Sequence, residues 1–94
     1  MDIDISDVIV SLAGRDRGQM FFVVATDEQY VYLADGRGRK LEKPKRKKRR
    51  HVQKLAQTES RIAARIRSGE RVLNSELRRE LAGYGQRTSQ NQGG

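Results

Sequence analysis

The stretch "AGRDRGQMFFVV" (13–24) sets two glycines four residues apart with three charges between them, then runs five apolar residues together. Gly14 and Gly18 can take positive φ without steric cost, and charged side chains favour water, so residues 14–18 read as a surface turn. Met20 to Val24 read as the buried strand that this turn feeds. Phe21 and Val23 point to one side of that strand, Phe22 and Val24 to the other. Both sets are apolar. A strand apolar on both faces needs cover on both, so something outside the sheet has to pack against it.

Outward from this turn the pattern continues. "DVIVSLA" (7–13) is short, β-branched and apolar, which predicts a first strand with Val8, Val10 and Leu12 on one face. The second strand spans 19–26, "DE" (27–28) is a tight connection, and "QYVYLAD" (29–35) is the third. "DGRG" (35–38) predicts another turn, because Asp-Gly is a strong hairpin signal. "RKLE" (39–42) reads as a short fourth strand and "HVQKL" (51–55) as a fifth, ambiguous with the start of a helix. Short strands at this spacing predict a mainly β fold, a small antiparallel barrel or curled sheet.

The last third carries helical periodicity. "TESRIAARIRSG" (58–69) places Ile62 and Ile66 on one face, with Thr58 as cap and Gly69 as terminator. "NSELRRELAGYG" (74–85) follows Leu73 and puts Leu73, Leu77, Leu81 and Tyr84 on one stripe, with Asn74 as cap and Gly85 as terminator. Each helix is too short to stand alone, so the pair is expected to dock on the barrel or on a partner. The expected organisation is a tail (1–6), a barrel (7–55) that includes a basic arm (43–50), a helical hairpin (56–85) and a disordered polar tail (86–94).

The 94 residues carry 20 Lys and Arg against 12 Asp and Glu, a net charge of +8. Residues 1–36 hold two basic and seven acidic groups, whereas residues 37–54 hold eleven basic groups and one acid, Glu42. Such polarisation marks the basic segment as the contact surface. There is no cysteine, hence no disulfide and no thiolate metal site, which suits a reducing compartment. No apolar stretch approaches the roughly 20 residues of a membrane span. The acidic N-terminus lacks the features of a secretory signal. A cytoplasmic protein with no membrane partner is the expectation.

Catalysis finds little material. His51 is the only histidine, and with no Cys the nucleophile–base arrangements lack partners, so no enzyme activity, small-molecule substrate or cofactor is expected. Asp2, Asp4 and Asp7 lack the glycine and later glutamate of a calcium loop and read as a solvated acidic end. The dominant feature is "KPKRKKRR" (43–50), seven cations in eight residues. These repel one another and call for a counter-charge, while Pro44 keeps them extended. Phosphate contact, a nuclear-import address and attraction to an anionic membrane all fit such a run, although the last wants an apolar anchor that is absent here.

Contact with the phosphates of RNA is the expectation. Its expected contacts are Arg15 and Arg17 in the first turn, Arg37 and Arg39 in the next, and Lys40, Lys43, Lys45, Arg46, Lys47, Lys48, Arg49 and Arg50 along the arm. Gly14 and Gly18 shape the first loop. Of Tyr30 and Tyr32, one is expected to fill the core and the other to cover a strand face, though an exposed tyrosine there can stack on a base. The helix arginines Arg61, Arg65, Arg78 and Arg79 read as solvated polar faces.

Residues 7–36 resemble the KOW module of ribosomal proteins and NusG-type transcription factors. Val8 and Val10 before the turn, Gly14 and Gly18 in "GRDRG", and the apolar strand behind them carry the likeness. "LADG" (33–36) is similar to the triplet that ends a strand in large-subunit ribosomal proteins of the eukaryotic and archaeal type. The resemblance implies a five-stranded Src-homology-3-type barrel that binds RNA, often ribosomal RNA, without catalysis. It implies contacts from Arg15, Asp16 and Arg17, and partners at or near the ribosome. One position departs from the pattern. Many KOW modules carry a small residue three positions after the second glycine, where this chain has Phe21. Either the barrel differs locally there, or Phe21 packs under the C-terminal helices. The alternatives to RNA are docking on a ribosome- or transcription-associated protein through the barrel and the leucine stripe, and non-specific DNA binding.

Overall fold

The apolar run behind the second glycine becomes the middle of a sheet. The computed structural model describes residues 2–93, with side chains for residues 2–84. Five strands, β1 (Asp7–Ser11), β2 (Met20–Thr26), β3 (Tyr30–Ala34), β4 (Lys45–Lys48) and β5 (Val52–Gln57), form one antiparallel sheet in the order β4-β3-β2-β1-β5. The edge strands β4 and β5 are separated in sequence only by a 3-10 turn, Arg49–His51. In a flat sheet, four strand spacings would hold those edges about 19 Å apart. The chain from Lys48 to Val52 reaches at most about 14 Å. The sheet must therefore curl, and the result is a small barrel-like fold followed by two helices, α1 (Arg61–Ser68) and α2 (Asn74–Gly93).

The curl makes two cores, one on each side of β2. Ile9, Phe21, Val23, Val31, Leu33 and Val52 fill the inside. Val8, Phe22 and Ala34 face outward and are covered by Leu77 and Leu81 of α2, with Ile62, Ile66 and Tyr84 packed around them. The cover required by a doubly apolar strand is thus supplied by the chain's own helices. Phe21 belongs to the inner core, so the residue beneath the helices is its neighbour Phe22. The helices shield only part of the outer face: Val8 is fully buried, Val10 is half-buried and Leu12 is 45% exposed.

Several local expectations change. Residues 39–42 are not a strand. The fourth strand lies inside the basic run, because the free edge of β3 offers backbone partners to any extended segment. Pro44, which has no N–H to pair, stands just before it. The strand alternates, with Lys47 buried and Arg46 and Lys48 exposed, which divides the positive charge between two faces. The cap of α1 is Ser60, whose hydroxyl accepts from the Ala63 N–H at 3.1 Å, and not Thr58. Gly69 ends that helix with φ 78°, as expected. At the start of α2 the Leu73 N–H is taken by Glu76 Oε1 at 3.0 Å, which frees Asn74 for another task. Gly85 lies within the helical span of α2 and does not end it. Of the tail 86–94, expected to be disordered, no side chain is described. Asp7 is buried and paired with Lys54 at 3.2 Å, so the acidic end is not wholly solvated.

Candidate nucleic-acid interface

The first loop is closed by Gly14 at φ 84° and Gly18 at φ 87°, conformations that a side chain would strain. The Gly18 N–H reaches the Ser11 carbonyl at 2.8 Å, and the Arg17 N–H reaches that of Gly14 at 3.2 Å. Within it the charges separate. Asp16 turns in, while Arg15 and Arg17 stay exposed. The Asp16 carboxylate accepts from the Lys47 ammonium and from the Ser11 hydroxyl, the latter at 2.7 Å, and Lys45 stands 4.0 Å away. Burial pushes the Asp16 pKa up, but the hydrogen bonds and charges of Lys47, Ser11 and Lys45 outweigh it, and the pKa falls below its ordinary value.

Lys47 is the counterpart. Only 8% of its side chain is exposed, and its ammonium donates to the Ser11 hydroxyl at 2.8 Å and the Ala13 carbonyl at 2.7 Å as well as to Asp16. All three donors of the ammonium are used. Lys47, expected to contact phosphate, instead ties β4 to the first loop. Arg49 is also structural, donating to the carbonyls of Asp27 and Ile3, each at 2.9 Å. Asp27 is held below its ordinary pKa first by the Tyr30 N–H, against a contribution from burial, with the Gln29 N–H and the Tyr32 hydroxyl adding to the effect.

The remaining cations gather on the surface. Lys45 and Lys47 share the inner side of β4 with their strand partners Leu33 and Val31, so Arg46 and Lys48 project outward beside Tyr32 and Tyr30. Neither tyrosine fills the core, because Val31 and Leu33 occupy it. The Arg46 guanidinium lies 4.6 Å from the centre of the Tyr30 ring. An open groove of about 500 Å³ runs here, lined by Tyr30, Lys45, Arg46, Lys48, His51 and the Gly14 end of the first loop. His51, separated from Tyr30 by 21 residues of sequence, arrives through the 3-10 turn. Arg50 is exposed on the same turn.

A second cationic segment is shaped by α2. Asp35 accepts from the N–H groups of Arg37 and Arg39, both at 2.9 Å, forming the expected turn. Gly36, at φ 77°, lies so close to the helix that a Cβ there would stand 2.1 Å from the Asn74 carbonyl oxygen. Arg78 donates to the Gly36 carbonyl at 2.6 Å. Asn74 accepts from the Leu41 N–H at 2.8 Å and donates to the Glu42 carboxylate at 2.7 Å, which lowers the Glu42 pKa. Arg37, Arg39, Lys40 and Lys43 are left exposed on a loop with a fixed base. The sequence showed the Asp-Gly turn but not this clasp, since nothing local links residue 36 to residue 74.

Among the described residues no group of acidic or histidine side chains is arranged to hold a metal ion. No helix among them is long and apolar enough to cross a membrane. Set against models of known protein families and against curated proteins, the chain matches none.

Proposed function

We propose that this chain is a non-catalytic RNA-binding module whose ligand lies along the groove between β4 and the first loop. The observation that carries the reading is the Tyr30 ring with Arg46 over it, in a groove that Lys45 and Lys48 also line. Aromatic rings and guanidinium planes stack on unpaired bases, while the cations around them neutralise the backbone. Such a platform favours unpaired nucleotides over a closed duplex. The resemblance of residues 7–36 to KOW modules supports ribosomal RNA as the target.

The protein-docking alternative loses part of its basis. Of the stripe Leu73, Leu77 and Leu81, the last two are buried against β2 and the sheet, and only Leu73 is half exposed. Deleting residues 43–50 would remove β4 itself, so the discriminating change is a charge reversal on the surface. Lys48→Glu is expected to keep the fold and abolish co-sedimentation with ribosomes, and raised salt is expected to do the same to the parent protein. In-cell crosslinking followed by sequencing of the attached nucleic acid is expected to return RNA. Recovery of DNA, or an association untouched by salt and by Lys48→Glu, overturns the proposal.

A further inference from the structure

The two glycines of the first loop open onto different grooves. Gly14 lines the one already described. Gly18 lines another, of about 590 Å³, between the loop, the 35–38 turn and α2. On the ridge of loop that joins these two glycines, Arg15 and Arg17 stand exposed. We infer that an RNA strand seated on Tyr30 and Lys48 does not stop there, but crosses this ridge and continues into the second groove.

The second groove repeats the chemistry of the first in a different form. Met20 and Leu81 supply apolar surface, and Arg37 and Arg78 supply cations. Arg78 spends one donor on the Gly36 carbonyl, but a guanidinium carries five. Its plane is thereby held in place instead of sampling many rotamers, which lowers the entropy cost of meeting a phosphate or a base. The acid at the rim, Asp35, is engaged by the backbone N–H groups of Arg37 and Arg39. Helix α2 thereby has a second task beyond covering Phe22: it forms one wall of the track.

The inference rests on the RNA reading above, and its test separates the two. Unstructured RNA oligonucleotides from about 4 to about 12 nucleotides are titrated at several salt concentrations. Affinity is expected to rise in a step once the RNA is long enough to cross the ridge. Arg37→Ala, an exposed position whose folding is checked by its melting temperature, is expected to reduce the log–log salt slope by about 0.7 on the longest RNA and not on the shortest. Lys48→Ala is expected to reduce it on both. If Arg37→Ala changes nothing on the longest RNA while Lys48→Ala still acts, the second groove is refuted and the first stands. If Arg37→Ala weakens short and long RNAs equally, the division into two grooves is wrong. If the parent protein binds no RNA of any length, the underlying reading falls. As an independent measurement, a long thiouridine-bearing RNA is expected to crosslink, after cleavage of the chain at Asp27 and Glu28, both to the peptide containing Tyr30 and to the peptide containing Gln19 and Met20; adducts confined to the first also refute the continuation.

Discussion

Lys47 places its ammonium on the carboxylate of Asp16, 31 residues away in sequence, and so locks the basic strand to the glycine-flanked loop. One residue of a cationic run is thereby turned into a core contact. One acid in an arginine-rich loop becomes the counter-charge that the run requires.

Asp16→Asn is expected to destabilise the protein by about 1–3 kcal/mol near neutral pH, since a charged hydrogen bond is lost beside a buried ammonium. The folded pKa of Asp16 lies below its ordinary value of 3.8. Its contribution is therefore complete above the unfolded pKa and disappears as pH falls through the folded one. Urea unfolding of parent and variant checks this. The gap is expected to narrow as pH falls below the ordinary carboxylate value of 3.8, and a gap that stayed constant down to acid unfolding would contradict the pairing.

Gly36 and Gly18 both have positive φ but differ in surroundings. At Gly18 a Cβ meets nothing within 4 Å, whereas at Gly36 it meets the Asn74 backbone. Gly18→Ala is expected to cost about 1 kcal/mol for the conformation alone. Gly36→Ala is expected to cost more than about 3 kcal/mol, because backbone must move as well. Thermal melts of the two variants, compared side by side, test the difference.

Tyr30→Ala and Lys48→Ala are expected to weaken RNA binding in distinguishable ways. Removing the ring costs about 1–3 kcal/mol of stacking with little change in salt dependence. Removing the cation lowers the log–log salt slope by about 0.7 for a single strand. Fluorescence titrations across a salt series read both quantities, and identical behaviour of the two variants would argue against the assigned roles.

Phe21→Ala and Phe22→Ala are each expected to cost about 3–5 kcal/mol, since each phenylalanine anchors a separate core. Ending the chain after Gln57 is a different matter. It leaves the inner core complete and exposes Val8, Phe22 and Ala34. Dye binding to exposed apolar surface and self-association on a sizing column are expected for the truncated chain. A well-behaved monomer would mean that the outer face does not depend on the helices.

The strands were legible where side-chain period and turn chemistry agree. Gly14, Gly18 and Asp35-Gly36 mark turns, and the doubly apolar run from Phe21 to Val24 requires a second covered face, which the helices supply. The fourth strand is hidden in the sequence because a run of lysines has no apolar alternation. Its pairing comes from the open edge of β3 and the counter-charge at Asp16, both distant in sequence. The candidate site divides in the same way. That residues 37–50 meet something anionic follows from charge alone, whereas the withdrawal of Lys47 and Arg49 into structural roles follows from partners that no local pattern names.

A small β fold with short turns, a covered outer face and a concentrated cationic segment follow from residue order, because periodicity, glycine placement and charge act over a few residues. Which phenylalanine lies inside, which cations remain free, and that Tyr30, Lys48 and His51 line one groove are set in three dimensions. Those outcomes depend on the curl that brings distant strands together and on the helix that seats Gly36 against Asn74. Packing and the pairing of buried charge act across space, and no reading along the chain contains them.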